Sequence, residues 1–411
     1  MRRIEDSTVL LVQPFLYDLA GSEMIVLELA DALIQRGVHV AIGTWGWGER
    51  LGDLIQNISG VALYQLDSNE FQTFVSQTPP DLVWSHQGLV PPELLENPDS
   101  TRFVFAHLSS FNSFEFPFVP SIEVALASRI YFVSRETQTV FEELDIFADL
   151  DPSKIRILGN PAPAGFHTVQ SGNPADLQSV LVVSNHIPDE LISAIHLLRT
   201  RGLSVTVVGA RQDGIDSKPQ RVTPDLIANH DGVVSIGKTV QYGLCVGTPV
   251  YCYDHFGGPG WLLEGNYQQA EDHNFSGRGF AEKDAEEIAK EILDGYREAH
   301  LYALATLESA RRRFSYDRVI NDLQDVLNSA PPSAQKPTEP VLHGYLSAHR
   351  TVRDFGETLY AERAVTKLTD QHVANLEGIV SDLQSRTLRF PKPSTVLNFL
   401  RFRKDGPAEA Q

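Results

Sequence analysis

The residues with the clearest chemical potential lie in two stretches of the second half. The first, 231–249, reads Asp-Gly-Val-Val-Ser-Ile-Gly-Lys-Thr-Val-Gln and then Tyr-Gly-Leu-Cys-Val-Gly-Thr-Pro. An apolar run ends at Gly237 and a helical pattern starts at Lys238. The first turn of a helix carries amide hydrogens without internal acceptors and a positive potential, so it attracts anions. Gly237 would let a diphosphate approach the backbone, Lys238 adds charge and Thr239 a hydroxyl. The spacing is not that of a Walker A loop. The alternative is a plain strand-to-helix turn with a surface lysine. The second stretch is Tyr253-Asp254-His255-Phe256-Gly257-Gly258-Pro259-Gly260-Trp261. Its glycines could bring backbone to a ligand, Asp254 and His255 could bond sugar hydroxyls, and Trp261 could stack. A turn that needs positive φ would read the same way.

Weaker candidates surround these. Asn185 and His186 follow an apolar run, with Glu190 one turn into the next helix, and Arg211 follows Gly209. They could contact phosphate, sugar or base, or they could be capping and surface residues. In the first half, the turn Ala20-Gly21-Ser22-Glu23, His86 and His107 fall at the ends of apolar runs. His107, His86 and Glu23 are candidates to take a proton from an attacking hydroxyl. A lone loop histidine is as readily structural. No HExxH, Cys/His cluster or EF-hand pattern occurs, so neither a metal nor another cofactor is expected.

The bulk numbers narrow the classes. The chain has 411 residues, 42% hydrophobic and 21% charged, with a net charge of −19. That length suits two domains and an appendage. So acidic a surface argues against nucleic acid as a partner but not against one nucleotide in a pocket. Cys245 and Cys252 lie in apolar runs and read as buried thiols. The start, Met-Arg-Arg-Ile-Glu-Asp, lacks a signal-peptide pattern, and no apolar run is long enough to span a bilayer. The expectation is a cytoplasmic protein, or one peripheral to the inner face of a membrane.

The elements that would position these residues alternate. In the first half, strands are expected at 9–13, 38–43, 61–64, 81–84, 102–106, 129–133 and 154–158, with a helix over 23–35. A linker rich in Gly, Pro and Ala spans 163–176. Strands at 179–183, 203–208, 232–236 and 249–253 follow, with helices at 188–200, 238–246, 285–293 and 301–312. This pattern implies an α/β protein with two Rossmann-like, doubly wound domains, 1–165 and 175–315. Ligands would bind between them, beyond the carboxyl ends of the strands. A closing helix is expected at 316–330, a Pro-rich linker at 331–352, and over 353–386 a helical tail with heptad character that could self-associate or, equally, dock on the body. Residues 386–404 hold Arg386, Arg389, Lys392, Arg401, Arg403 and Lys404 among Phe390, Phe399 and Phe402, without an acid. They suit an anionic membrane surface, or equally a solvated tail.

Four stretches together resemble the GT-B glycosyltransferases of the family 4, or group 1, type. They are Ala20-Gly-Ser-Glu with Leu27-Glu-Leu-Ala-Asp-Ala-Leu, Phe132-Val-Ser-Arg-Glu, Lys154-Ile-Arg-Ile-Leu-Gly-Asn-Pro, and Gly247-Thr-Pro-Val. The segment 310–317 is similar to that family's closing helix. The resemblance implies transfer of a sugar from a nucleoside-diphosphate sugar to a glycan or lipid-linked hydroxyl, in surface-polysaccharide assembly of the bacterial type. It implies a second domain that holds the donor, with Gln241 at the ribose, and a first domain that holds the acceptor. The family's E-x7-E signature would fall near Val233 and Gln241, where no glutamate stands. A sugar-nucleotide 2-epimerase shares this architecture, and a non-catalytic GT-B scaffold is a third reading.

Overall fold

The computed structural model describes residues 2–17, 21–96, 98–172, 176–329 and 337–386; from 367 onward it describes the backbone alone. The first half is a seven-stranded parallel sheet. Its strands are β1 (Thr8–Val12), β2 (His39–Thr44), β3 (Val61–Gln65), β4 (Leu82–His86), β5 (Arg102–His107), β6 (Ala127–Phe132) and β7 (Ile155–Ile157). They lie in the order β3-β2-β1-β4-β5-β6-β7. The second half holds β8 (Ser179–Val183), β9 (Ser204–Val208), β10 (Gly232–Ser235), β11 (Val250–Asp254) and β12 (Gly257–Trp261), ordered β9-β8-β10-β11-β12. Only β12 is antiparallel, paired with β11. Both orders are doubly wound, and each reverses at a switch point: β1/β4 in one sheet, β8/β10 in the other.

The connections in the first half are α1 (Gly21–Gln35), α2 (Glu49–Gln56), α3 (Asn69–Gln77), α4 (Pro120–Leu126) and α5 (Arg135–Glu143). Then follow α6 (Ala164–Thr168), α7 (Asp189–Thr200), α8 (Pro224–Ala228), α9 (Lys238–Val246), α10 (Glu264–Asp272), α11 (Ala285–Arg313), α12 (Tyr316–Asn328) and α13 (Glu339–Arg386). The strands bury almost every side chain, as β1, β4 and β5 show, because helices cover both faces of a parallel sheet. Val9, Leu11, Ile42 and Trp84 pack with Leu29 and Leu33 of α1 and with Val319 and Leu323 of α12. Thus α12, which follows the second sheet in sequence, returns to the core of the first.

The structure departs from the sequence expectation in several places; α6 forms within the stretch expected as the 163–176 linker, and α8 and α10 are further unexpected helices. Residues 285–313 form one helix rather than two, since Tyr296, Ala299 and His300 carry its buried stripe through the gap. Residues 257–261, expected as a loop, form β12. The helix α13 begins at Glu339, inside the stretch expected to be a linker, with Pro340 in its first turn where the missing N–H costs nothing. Helices α2 to α5 are too short to stand out by periodicity. One compact unit runs to Arg353. The described residues beyond it, 354–386, are helical. The heptad positions lie there without described side chains, and the basic residues of 387–404 lie outside the described residues, as does Ala20.

Candidate functional site

The carboxyl edge of the second sheet gathers most of the expected donor residues. Asn185 and His186 are exposed just past β8; the Asn185 side-chain oxygen accepts from the Ala210 amide at 3.1 Å, which holds the loops after β8 and β9 together. Arg211 is exposed on the second of these loops. Their contact is possible because Gly209 has no side chain: a Cβ there would lie 1.7 Å from the Ser184 carbonyl oxygen. On the other side of the switch point, Gly237 sits between β10 and α9 with φ 57° and ψ −134°, a backbone open to glycine. Nothing lies within 4 Å of the Cβ position at Gly237, so the turn faces open space. Its own amide donates to Phe275 O at 3.3 Å, and Val240 N donates to Gly237 O at 3.0 Å. The amides of Lys238 and Thr239, in the first turn, have no acceptor within the helix.

Lys238 is a correction. Its ammonium is buried and makes an ion pair with Glu28 of α1 at 2.8 Å, and it donates to Pro161 O at 2.8 Å. Glu28 also accepts from the Tyr316 hydroxyl at 3.0 Å and from the Tyr242 hydroxyl. Burial lowers the Lys238 pKa although Glu28 opposes it, and burial, then Glu28, raises both tyrosines well above the usual phenol value. The lysine charge is thus spent on a junction between the two halves. Gln241 is also turned away from solvent: it is 1% exposed, and its amide, with nitrogen facing the carbonyls, donates to Gly237 O at 2.6 Å. It braces the turn and leaves no group free for a ribose.

The glycine-rich stretch is a second correction. A Cβ at Gly257 would lie 2.4 Å from Ala281 O, and one at Gly258 2.2 Å from Cys252 O. Those glycines serve the tight β11–β12 hairpin. Asp254 is buried and caps the turn by accepting from Phe256 N at 2.8 Å. Trp261 is buried too, with its indole N–H on Glu291 O at 3.1 Å. Of the residues of that stretch expected to meet a ligand, His255 is exposed, lying against the exposed Phe256.

The histidines of the first half are buried. His107 has both ring nitrogens engaged, Nδ1 with Glu115 O at 2.8 Å and Nε2 with Glu123 at 3.0 Å. Burial disfavours its charged form, but Glu123 and Glu115 outweigh that and hold its pKa above the ordinary value. A ring so enclosed cannot reach a substrate hydroxyl. His86 is fully buried beside Trp84, with no partner for either nitrogen among the described residues, and burial pushes its pKa down to about 3. Glu23 is buried in the first turn of α1, where it accepts from Ser22 Oγ at 2.7 Å. The two cysteines are buried free thiols; burial pushes Cys245 up to about 12.

What sequence reading missed lies where the halves meet. Glu136, in the first turn of α5, receives Arg278 through two nitrogens at 2.9 and 2.6 Å and His273 at 2.8 Å. Burial opposes the Glu136 carboxylate, yet Arg278 and His273 hold its pKa below the usual range. Arg278 also lies over the Phe111 ring, 4.2 Å from its centroid. The motif Phe132-Val-Ser-Arg-Glu contained Glu136, but no spacing linked it to a residue so far along the chain.

No family model and no curated protein sequence matches this chain. Solved structures do. A glycosyltransferase of Rickettsia africae is 15% identical, with 79% of this chain and 99% of that one covered and a TM-score of 0.54. HepE of Anabaena, solved in complex with UDP-glucose, is 13% identical over 78% of this chain and 99% of its own, with a TM-score of 0.52. Sucrose-phosphate synthase of Thermosynechococcus elongatus is 11% identical, covering 78% and 98%, with a TM-score of 0.51. The fold is GT-B. At these identities the likeness reaches no further than the fold. Among the described residues, no helix is long and apolar enough to cross a membrane.

Proposed function

We propose that the protein is a glycosyltransferase that moves a sugar from a nucleoside-diphosphate sugar to a hydroxyl of a glycan or lipid-linked acceptor, in surface-polysaccharide assembly. The observation that carries this reading is the Gly237 turn: a switch-point glycine with open space at its Cβ position, followed at once by the first turn of α9, whose amides have no acceptor within the helix. Those amides and the Thr239 hydroxyl would bind the diphosphate. Asn185, His186 and Arg211 border the same edge and would meet the nucleoside or sugar. In the reaction, the bond from the anomeric carbon to the diphosphate breaks and its electron pair leaves with the diphosphate. The acceptor oxygen bonds to that carbon and releases its proton. Developing charge on the leaving group would be met by the helix field rather than by Lys238, with no metal needed. The polysaccharide role and a membrane contact through residues 386–404 belong to the proposal as well.

The test is a thermal-shift panel of UDP, GDP, CMP and dTDP and their sugars. One nucleoside diphosphate should raise the melting temperature. Gly237→Ala, which strains a backbone only glycine adopts readily, should weaken that binding by roughly tenfold, the equivalent of about 1.4 kcal/mol. A panel without any shift would sink the assignment.

A further inference from the structure

A ligand of the first sheet would sit beyond the carboxyl ends of β1 and β4, where the strand order reverses. That place is filled by the chain itself. Tyr345 and His349 of α13 close over Pro14 after β1, Trp45 after β2, and Gln87 and Gly88 after β4. The cavity left between them is about 30 Å³, room for one or two waters. Three side chains at four-residue spacing, on one face of the helix, fasten three different loops. Tyr345 holds the loop after β4: Val90 N donates to its hydroxyl at 2.7 Å, and the hydroxyl donates to Val90 O at 2.8 Å. His349 holds the loop after β2, packing edge-on to Trp45 with ring centroids 4.6 Å apart. Arg353 holds the loop after β3 by pairing with Asp67 at 2.8 Å. Two of the loops are strained. Asp67 has φ 66° and Gln87 φ 56°, a conformation that non-glycine residues keep only where their surroundings enforce it.

The three fasteners are unequal. The Arg353–Asp67 pair is about a third exposed on each side, so solvent screens it. Tyr345 is buried, and its hydroxyl both donates and accepts. His349 is buried as well, but its Nε2 has no partner among the described residues. A segment held by so few contacts opens at lower cost than the sheet beneath it. A proton on His349 would lower that cost further. The closed segment offers Nε2 no acceptor, and the loops after β1, β2 and β4 bring no charge to the cavity, only Pro14, Trp45, Gln87 and Gly88. The charged groups around the ring are Asp67, Arg353 and Glu123 of α4, and Glu123 already answers His107 at 3.0 Å. Burial lowers the His349 pKa to about 4; Asp67 opposes this and Arg353 adds to it. Opening returns the ring to water and to its ordinary value of 6.5, so a fall in pH through that value favours the open form.

We infer that residues 345–353 of α13 form a proton-sensitive strap, which opens as a unit when His349 is charged and uncovers the crevice at the β1/β4 switch point. As a gate to an acceptor site the strap rests on the transferase reading; as a moving part it does not, and it can be measured without any nucleotide. The readout is amide hydrogen exchange of the full chain, expressed as protection relative to the unfolded rate at each pH. The Val90 amide reports the strap, and the Trp84 amide, inside the central strand β4, reports the core. Between pH 7.5 and pH 5 the wild-type protection at Val90 should fall by roughly thirtyfold more than at Trp84. His349→Phe keeps a ring against Trp45 but cannot be charged, so it should abolish that excess fall. Tyr345→Phe, which loses the bonds to Val90, should lower protection there at both pH values and keep the pH dependence. Parallel losses at Val90 and Trp84 in the wild type would overturn the inference, because the segment would then open only with the core. So would an undiminished pH dependence in His349→Phe. A strap that behaves as expected in a protein that binds no nucleotide would stand, and the transferase reading alone would fall.

Discussion

At the scale of single residues, burial decides which chemistry survives. His86 is enclosed as a neutral ring, with its pKa near 3 rather than 6.5. Below pH 6.5 the unfolded chain therefore takes up a proton that the folded one refuses, and stability falls as the pH drops toward 3. His349, lowered to about 4, acts in the same direction. His107, raised, acts oppositely: its contribution is present below its unfolded value and is lost as pH rises through the folded one. Between pH 7 and 4.5 the His86 share amounts to roughly 2–3 kcal/mol. His86→Leu should lose that much less stability over this interval, read from urea midpoints at the two pH values. Parallel losses in variant and wild type would contradict the assignment. None of this is legible in the sequence. His86 and His107 stand at strand ends, where an exposed base and a core residue look alike; the groups that enclose His107, Glu115, Glu123 and Phe141, come from later segments.

At the scale of elements, the alternation of apolar runs and helical periods was legible, because parallel strands covered on both faces must be apolar throughout. The ends of β8 and α9 fall where the pattern puts them. The turn between β10 and α9 was legible in its glycine, and its lysine was not, since the partner of Lys238 is on α1. Glu28 lies within the stretch Leu27-Glu-Leu-Ala-Asp-Ala-Leu, where an acidic residue reads as solvent-facing. Removing one member of such a pair leaves the other charge buried and unanswered, at a cost of about 3–5 kcal/mol. Glu28→Gln should therefore cost stability of that order. Lys238→Met should cost less, because Tyr242 and Tyr316 still donate to the carboxylate. The double variant should be more stable than Glu28→Gln alone, and a denaturant double-mutant cycle reads the coupling. Simple additivity would mean that the pair does not hold α1 to α9.

At the scale of the whole molecule, two sets of contacts tie the two sheets. One is the buried Glu28 junction; the other is the Glu136–Arg278–His273 cluster, backed by Asn160 donating to Asn274 at 3.1 Å. The second rests on a strained loop. Asn274 and Phe275 are consecutive non-glycine residues at φ 55° and 54°, a conformation that costs each of order 1–3 kcal/mol. Phe275 holds it by burying its ring completely and by donating to Ala270 O at 2.6 Å. The same residue accepts from Gly237 N, so the loop that reaches across to Glu136 also supports the open turn. Weakening one contact should then loosen the other. A bidentate arginine–carboxylate pair with this burial contributes about 1–3 kcal/mol. Arg278→Ala should raise amide exchange at Gly237 and across 273–279 by roughly tenfold, since 1.4 kcal/mol is one decade. Exchange in β1 and β4, which open only with the core of the first sheet, should stay as in the wild type. A uniform rise across both sheets would show a loss of global stability instead, and an unchanged Gly237 would show that the loop and the turn are not coupled.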